Sequence, residues 1–176
     1  MSEFVGRTGA LRVYSYPENR LQGSSASFAR NFASGPAGAT DIPVAGILVP
    51  WSSPDAGTPG TDVPITPRST GLVLITGVIT VKSTSGNQET VTLEVLVNGV
   101  PLAVPFVENL TIEPGGVIAI PILTETNSHI NGGPLPLGTT ADVSIFLSAS
   151  VDDPVVLQVS TESSTLELQE VPVATG

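Results

Sequence analysis

The side chains able to do chemistry are few. The chain of 176 residues holds one histidine, His129, and no cysteine. Disulfides, thiolate metal sites and cysteine nucleophiles are therefore excluded together. A lone histidine can serve as a general base when a nucleophile and an orienting acid stand beside it. His129 lies in the polar stretch TNSHINGG, and no G-x-S-x-G occurs anywhere in the chain. It reads as a solvated loop residue. Asp152-Asp153 offers clustered oxygens of the kind Ca²⁺ prefers. Pro154 and the flanking valines make the pair read as a hairpin turn instead. Asn109-Leu110-Thr111 fits a glycosylation sequon and reads as chance in a chain with no secretion signal. Trp51, among Pro and Ser, is the one residue placed to act as a sugar platform; the reading preferred is a wedge that packs the proline-rich loop. No Gly-rich phosphate loop is present. No catalytic residue, metal site or cofactor is expected, and the chain does not read as an enzyme.

Charge narrows the partners. Formal net charge is −10 and charged residues make up only 12%, against roughly a quarter in an ordinary domain. Lys82 and five arginines are too few to neutralise a phosphate backbone, so no nucleic acid is expected. The longest apolar runs, such as LVLI at 72–75, are too short to span a bilayer. The opening MSEFVGRTGALRVYSY has no apolar core of the signal-peptide kind. Neither membrane attachment nor export is expected.

The charge is also unevenly placed. Residues 1–40 carry Arg7, Arg12, Arg20 and Arg30 against Glu3 and Glu18. Beyond residue 40 only Arg68 and Lys82 oppose fourteen carboxylates. Phe4, Tyr14, Tyr16, Phe28 and Phe32 are five of the eight aromatic residues. So a basic, aromatic stretch precedes an acidic, aliphatic body. Within it, SSASFARNFASGP reads as one short helix, with Ser24 or Ser25 capping it and Gly35-Pro36 ending it. Phe28 and Phe32 would share a helix face. A helix of about ten residues is unstable alone, so that face must dock, on the chain's own body or on another subunit. Arginine and tyrosine dominate interface hot spots, which favours the second. The expected partner-binding residues are Phe4, Arg7, Arg12, Tyr14, Tyr16, Arg20, Phe28, Arg30 and Phe32.

These residues need a body to carry them, and from residue 42 that body reads as strand. Short alternating runs rich in Val, Ile and Thr are broken by Gly, Pro, Asn and Asp. Ile42 to Val49 reads as a first strand, and five prolines from Pro50 to Pro67 then forbid regular structure. In 72–82, Val73, Ile75, Ile79 and Val81 share a face, while Leu72, Leu74 and Val78 make the other face apolar too, so both should be covered. Gly77 allows a bend or a close approach. Val91, Leu93, Val95 and Val97 alternate inward until Asn98-Gly99, which accepts the positive φ values of a type I′ turn. Strands follow at 100–107, 110–112, 117–123, 141–151, 155–160 and 165–171. The fold class expected is all-β: a two-sheet antiparallel jelly roll over 42–172, preceded by a mostly irregular arm, 1–41, with one short helix, and followed by a tail, 173–176.

Three stretches carry a resemblance. TGLVLITGVITV at 70–81, VTLEVLVNGVPLA at 91–103 and TLELQEV at 165–171 resemble the central and closing strands of TNF/C1q-like trimeric jelly rolls. Cement or decoration proteins of tailed-phage capsids and bacterial spore-surface domains are similar in pattern. The resemblance covers about residues 69–171. It implies a homotrimer with its threefold axis along one sheet, and it transfers no catalytic residues. The Gly-X-Y stalk of spore proteins is absent here, and the basic arm stands in its place. Thin charge leaves exposed apolar surface, which self-association would cover. The function expected is that of a structural virion protein on the capsid surface, made in the host cytoplasm: a trimeric decoration protein whose arm clamps major capsid subunits. The alternative is a carbohydrate- or receptor-binding jelly-roll module of a fibre tip or of a bacterial surface or spore coat.

Overall fold

The computed structural model describes residues 28–35, 39–54, 58–102, 108–126, 134–150, 157–159 and 164–171. Thirteen strands fall among them: β1 (Arg30–Ser34), β2 (Thr40–Asp41), β3 (Ile47–Leu48), β4 (Ser53–Pro54), β5 (Val63–Ile65), β6 (Val73–Ser83), β7 (Glu89–Val97), β8 (Val100–Pro101), β9 (Glu108–Ile112), β10 (Val117–Glu125), β11 (Ala141–Ala149), β12 (Leu157–Val159) and β13 (Thr165–Glu170). They form two antiparallel sheets.

β6 is the spine of the first sheet. One side pairs along its length with β10, from Val117↔Lys82 to Glu125↔Leu74. Its other side pairs with β13 over residues 73–78 and with β12 over residues 81–83. β12 and β13 thus share one lane. β2 continues that sheet beside β12, and β1 beside β13, with β4 beyond β1. In the second sheet β11 lies between β7 and a lane shared by β3 and β5. β8 and β9 together flank the other side of β7. From β6 onward the chain crosses between sheets repeatedly: β6 to β7, β9 to β10, β10 to β11 and β11 to β12. This is jelly-roll connectivity.

Alternation explains the core. Val73, Ile75, Ile79 and Val81 of β6 are fully buried, as are Val91, Leu93 and Val97 of β7 and Val143, Ile145 and Leu147 of β11. They face one another across the sandwich with Ile120, Leu166 and Leu168 in a single cluster. Asn98 and Gly99 have φ of 51° and 75°, the values a type I′ hairpin needs. Gly77 pairs with Leu166 of β13, and a Cβ there would collide with the Thr165 carbonyl.

Three expectations are corrected. The helix over 24–35 gives way to strand at Arg30–Ser34, which pairs with β13 in the register Arg30↔Gln169 to Ser34↔Thr165. Asn31 and Ala33 are buried while Arg30 and Phe32 are exposed, a period of two. The spacing of Phe28 and Phe32 suits a helix, but the alternation of small or polar inward residues fits the free edge of β13. The sandwich therefore takes in residues that the expectation placed in the arm. The expected first strand over 42–49 is broken: Pro43 to Gly46 form a turn, closed by Gly46 N–H donating to Pro43 O at 3.0 Å, with β2 and β3 on either side. The proline-rich stretch is less irregular than expected, because it contributes β4, β5 and a Trp51–Gly60 bridge.

Candidate interaction surface

Of the nine expected partner-binding residues, Phe4, Arg7, Arg12, Tyr14, Tyr16 and Arg20 lie outside the described residues. His129 and the Asp152-Asp153 pair lie outside them too. Phe28 is half-buried just before β1. Arg30 and Phe32 stand together on the outward side of β1. With Asn31 and Glu167 they line a depression of about 370 Å³. Arg30 Nη2 lies 3.1 Å from Glu167 Oε1, an exposed pair that contributes little to stability. Phe32 is 39% exposed.

The base of this strand is held by a residue that the sequence reading passed over. Glu170, at the end of β13, is fully buried. Its Oε2 accepts hydrogen bonds from Ala29 N at 3.0 Å and Arg68 N at 2.9 Å. Its Oε1 accepts from the backbone N–H groups of Ser69, Thr70 and Gly71 at 2.8, 2.6 and 3.0 Å. Burial pushes this carboxyl up. The backbone N–H groups of Arg68, Gly71, Thr70 and Ala29 outweigh it and hold the pKa at about 2. One carboxylate thus ties the entry to β1, the turn before β6 and the last strand. The signal for it lay in the strand's parity: Glu170 shares the inward side with Leu166 and Leu168.

The outward side of the first sheet is apolar along β10. Val117 is 59% and Leu123 69% exposed, with Ala119 and Pro121 exposed between them. Beside them Leu74 and Val78 of β6 are half-buried. The outward face of β6 is only partly apolar, since Thr76, Thr80 and Lys82 alternate with Leu74 and Val78, and the inward face is the one whose side chains are buried throughout.

Trp51 behaves as a wedge. It is 1% exposed, and its backbone pairs with Gly60 at 2.6 and 3.0 Å. It offers no platform to a sugar, which removes the residue on which the carbohydrate alternative depended. Asn109, of the sequon, sits on β9, where its Oδ1 accepts from Thr92 Oγ1 at 2.7 Å. Among the described residues no three His, Cys, Asp or Glu side chains gather to hold a metal ion. No helix among them is long and apolar enough to cross a membrane.

No protein-family model matches the chain, and no curated protein matches it. Solved structures do. An Eiger TNF from S. frugiperda is similar at 15% identity and a TM-score of 0.42, covering 85% of this chain and 96% of that one. Murine APRIL is similar at 10% identity and a TM-score of 0.45, covering 82% and 99%. A structure of infectious bursal disease virus, Gx strain, is similar at 13% identity and a TM-score of 0.43, covering 80% of this chain and 32% of that one. The chain spans about a third of the viral chain's length. With likenesses this distant, what the chain does is argued from its own residues.

Proposed function

We propose that this chain is a structural virion protein, a homotrimeric decoration or cement protein on a capsid surface. Its arm, residues 1–27, carries Arg7, Arg12, Arg20 and three aromatic residues to the major capsid subunits. The acidic body faces outward, where like charge keeps particles apart. Self-association covers the apolar outward side of the first sheet, and three arms acting together raise the avidity of a weak single contact. Catalysis has no part in this reading.

The supporting observation is the division of the chain. A cationic, aromatic stretch enters at Ala29, where Glu170 fixes the backbone, and continues as exposed Arg30 and Phe32 on β1. The placement of β1 changes how the arm must be tested, since truncation beyond residue 27 would remove a strand of the sandwich. The test is co-sedimentation of the purified protein with empty shells of a tailed-phage major capsid protein. Saturable binding that weakens with salt is expected. A protein that stays in the supernatant at every ratio contradicts the reading.

A further inference from the structure

β10 is a long strand at the border of the first sheet. Among the described residues it pairs with β6 and with nothing on its other side. β2 and β4, at the opposite border, have two residues each, against nine in β10. The direction of its backbone groups follows from one bond. Ser83 N–H donates to Gly116 O at 2.9 Å, so the ladder bonds to β6 recur at every second residue from there, at 118, 120, 122 and 124. Val117, Ala119, Pro121, Leu123 and Glu125 therefore turn their backbone groups to the open side.

An open border of this kind is a template for strand addition. Its composition adds to that tendency. VIAIPIL at 117–123 carries no charge, and its valine and isoleucines favour strand. A second β10, run antiparallel, would meet a ladder half built, with no charge from 117 to 123 to oppose it. One residue stands against that pairing. Pro121 lies at the middle of the strand and on the open-side parity, so the N–H that a partner strand needs there is missing and the ring occupies its place. On the β6 side nothing is lost, because the pair Pro121↔Val78 falls between ladder bonds. A proline at 120 or 122 would cut the ladder to β6. At 121 it cuts only a ladder to a neighbour.

The two ways of meeting differ in symmetry. Antiparallel addition of β10 to β10 relates the copies by a twofold axis and closes them into a pair. Copies that meet through the outward side of the sheet, where Val117 and Leu123 are exposed, can close in other numbers. Given self-association through that side, on which this inference rests, we propose that Pro121 determines the mode of assembly. It bars edge-to-edge pairing of β10 with the β10 of a second copy and leaves the outward side as the surface by which copies meet.

The test compares the full-length wild type with Pro121→Val, which restores the N–H on a strand-forming residue. Melting curves establish that each is folded, and Pro121→Ala replaces Pro121→Val if the latter does not fold. Native mass spectrometry is expected to give the variant twice the wild-type mass or a larger even multiple, rising with concentration. In the wild type the N–H groups of Ala119 and Leu123 should exchange with solvent faster than those of Ile120 and Ile122. In the variant they should exchange about tenfold more slowly than in the wild type. A variant with the wild-type mass and unchanged exchange at both amides overturns the proposal. So does a wild type in which Ala119 and Leu123 are as protected as Ile120 and Ile122, because the border would then be paired already. A wild type with the mass of a single copy contradicts self-association, and the difference between wild type and variant still decides the role of Pro121.

Discussion

Ala29 and Glu170 hold each other by two hydrogen bonds. Glu170 N–H donates to Ala29 O at 2.8 Å, and Ala29 N–H donates to Glu170 Oε2 at 3.0 Å. The pair closes the ladder between β1 and β13 at the point where the N-terminal segment meets the body. The same carboxylate serves four more amides across residues 68–71, a set of donors that takes two acceptor oxygens.

Glu170→Gln should therefore be costly. An amide oxygen can accept part of the set, but the amide NH₂ faces donors. The loss expected is of the order of 3 kcal/mol at neutral pH, from a pKa held at about 2 against an ordinary 4.5. The sign follows from the lowered pKa. The wild-type advantage is complete above pH 4.5 and fades as pH falls through about 2. Urea unfolding of both proteins at pH 7 and pH 3 checks this. A stability gap that widens on acidification contradicts it.

Gly77→Ala should lower stability by about 1–3 kcal/mol, because the added methyl meets backbone rather than a movable side chain. Gly99→Ala has open space around the added methyl and is expected to pay only for its φ of 75°. Thermal melts of the two variants should therefore rank Gly77→Ala well below Gly99→Ala.

Trp51→Ala should cost about 3–5 kcal/mol through the cavity it opens in the core. Its effect is on folding alone. A glycan array that shows a signal for the wild type and none for a folded Trp51 variant would contradict the wedge role.

Leu123→Asp and Val117→Asp place charge on side chains already exposed on β10. Each should leave the circular dichroism and melting temperature of an isolated chain nearly unchanged. Under the trimer reading each should shift the native mass from three times 18.0 kDa toward a single copy. Native mass spectrometry reads this directly, and an unchanged trimer would place the self-contact elsewhere.

The central strands are legible in the sequence because one side of each must be apolar at a period of two. Val91 to Val97 and Val143 to Leu147 satisfy that in both reading and structure. Asn98-Gly99 is legible because few residue pairs tolerate two positive φ values. β1 is not legible, because FARNF places its aromatics where a helix face and a strand face coincide. Only the open edge of β13, more than a hundred residues away, decides between them. The Glu170 anchor escapes notice for the same reason: its donors lie 99 to 141 residues distant. The split of strand 42–49 follows from Pro43, which accepts at the turn and cannot donate to a ladder. β5 is not legible because the run of prolines conceals it, although Val63 to Ile65 pair with Val143 to Ala141 of β11.

The most direct measurement of the central claim is occupancy on particles. Full-length protein and protein lacking residues 1–27, both shown to fold by their melting curves, are added to bare shells and imaged by electron microscopy. The account predicts full decoration by the first and empty sites with the second. Equal decoration by both would mean that the body grips the shell and that the arginine-bearing segment does not.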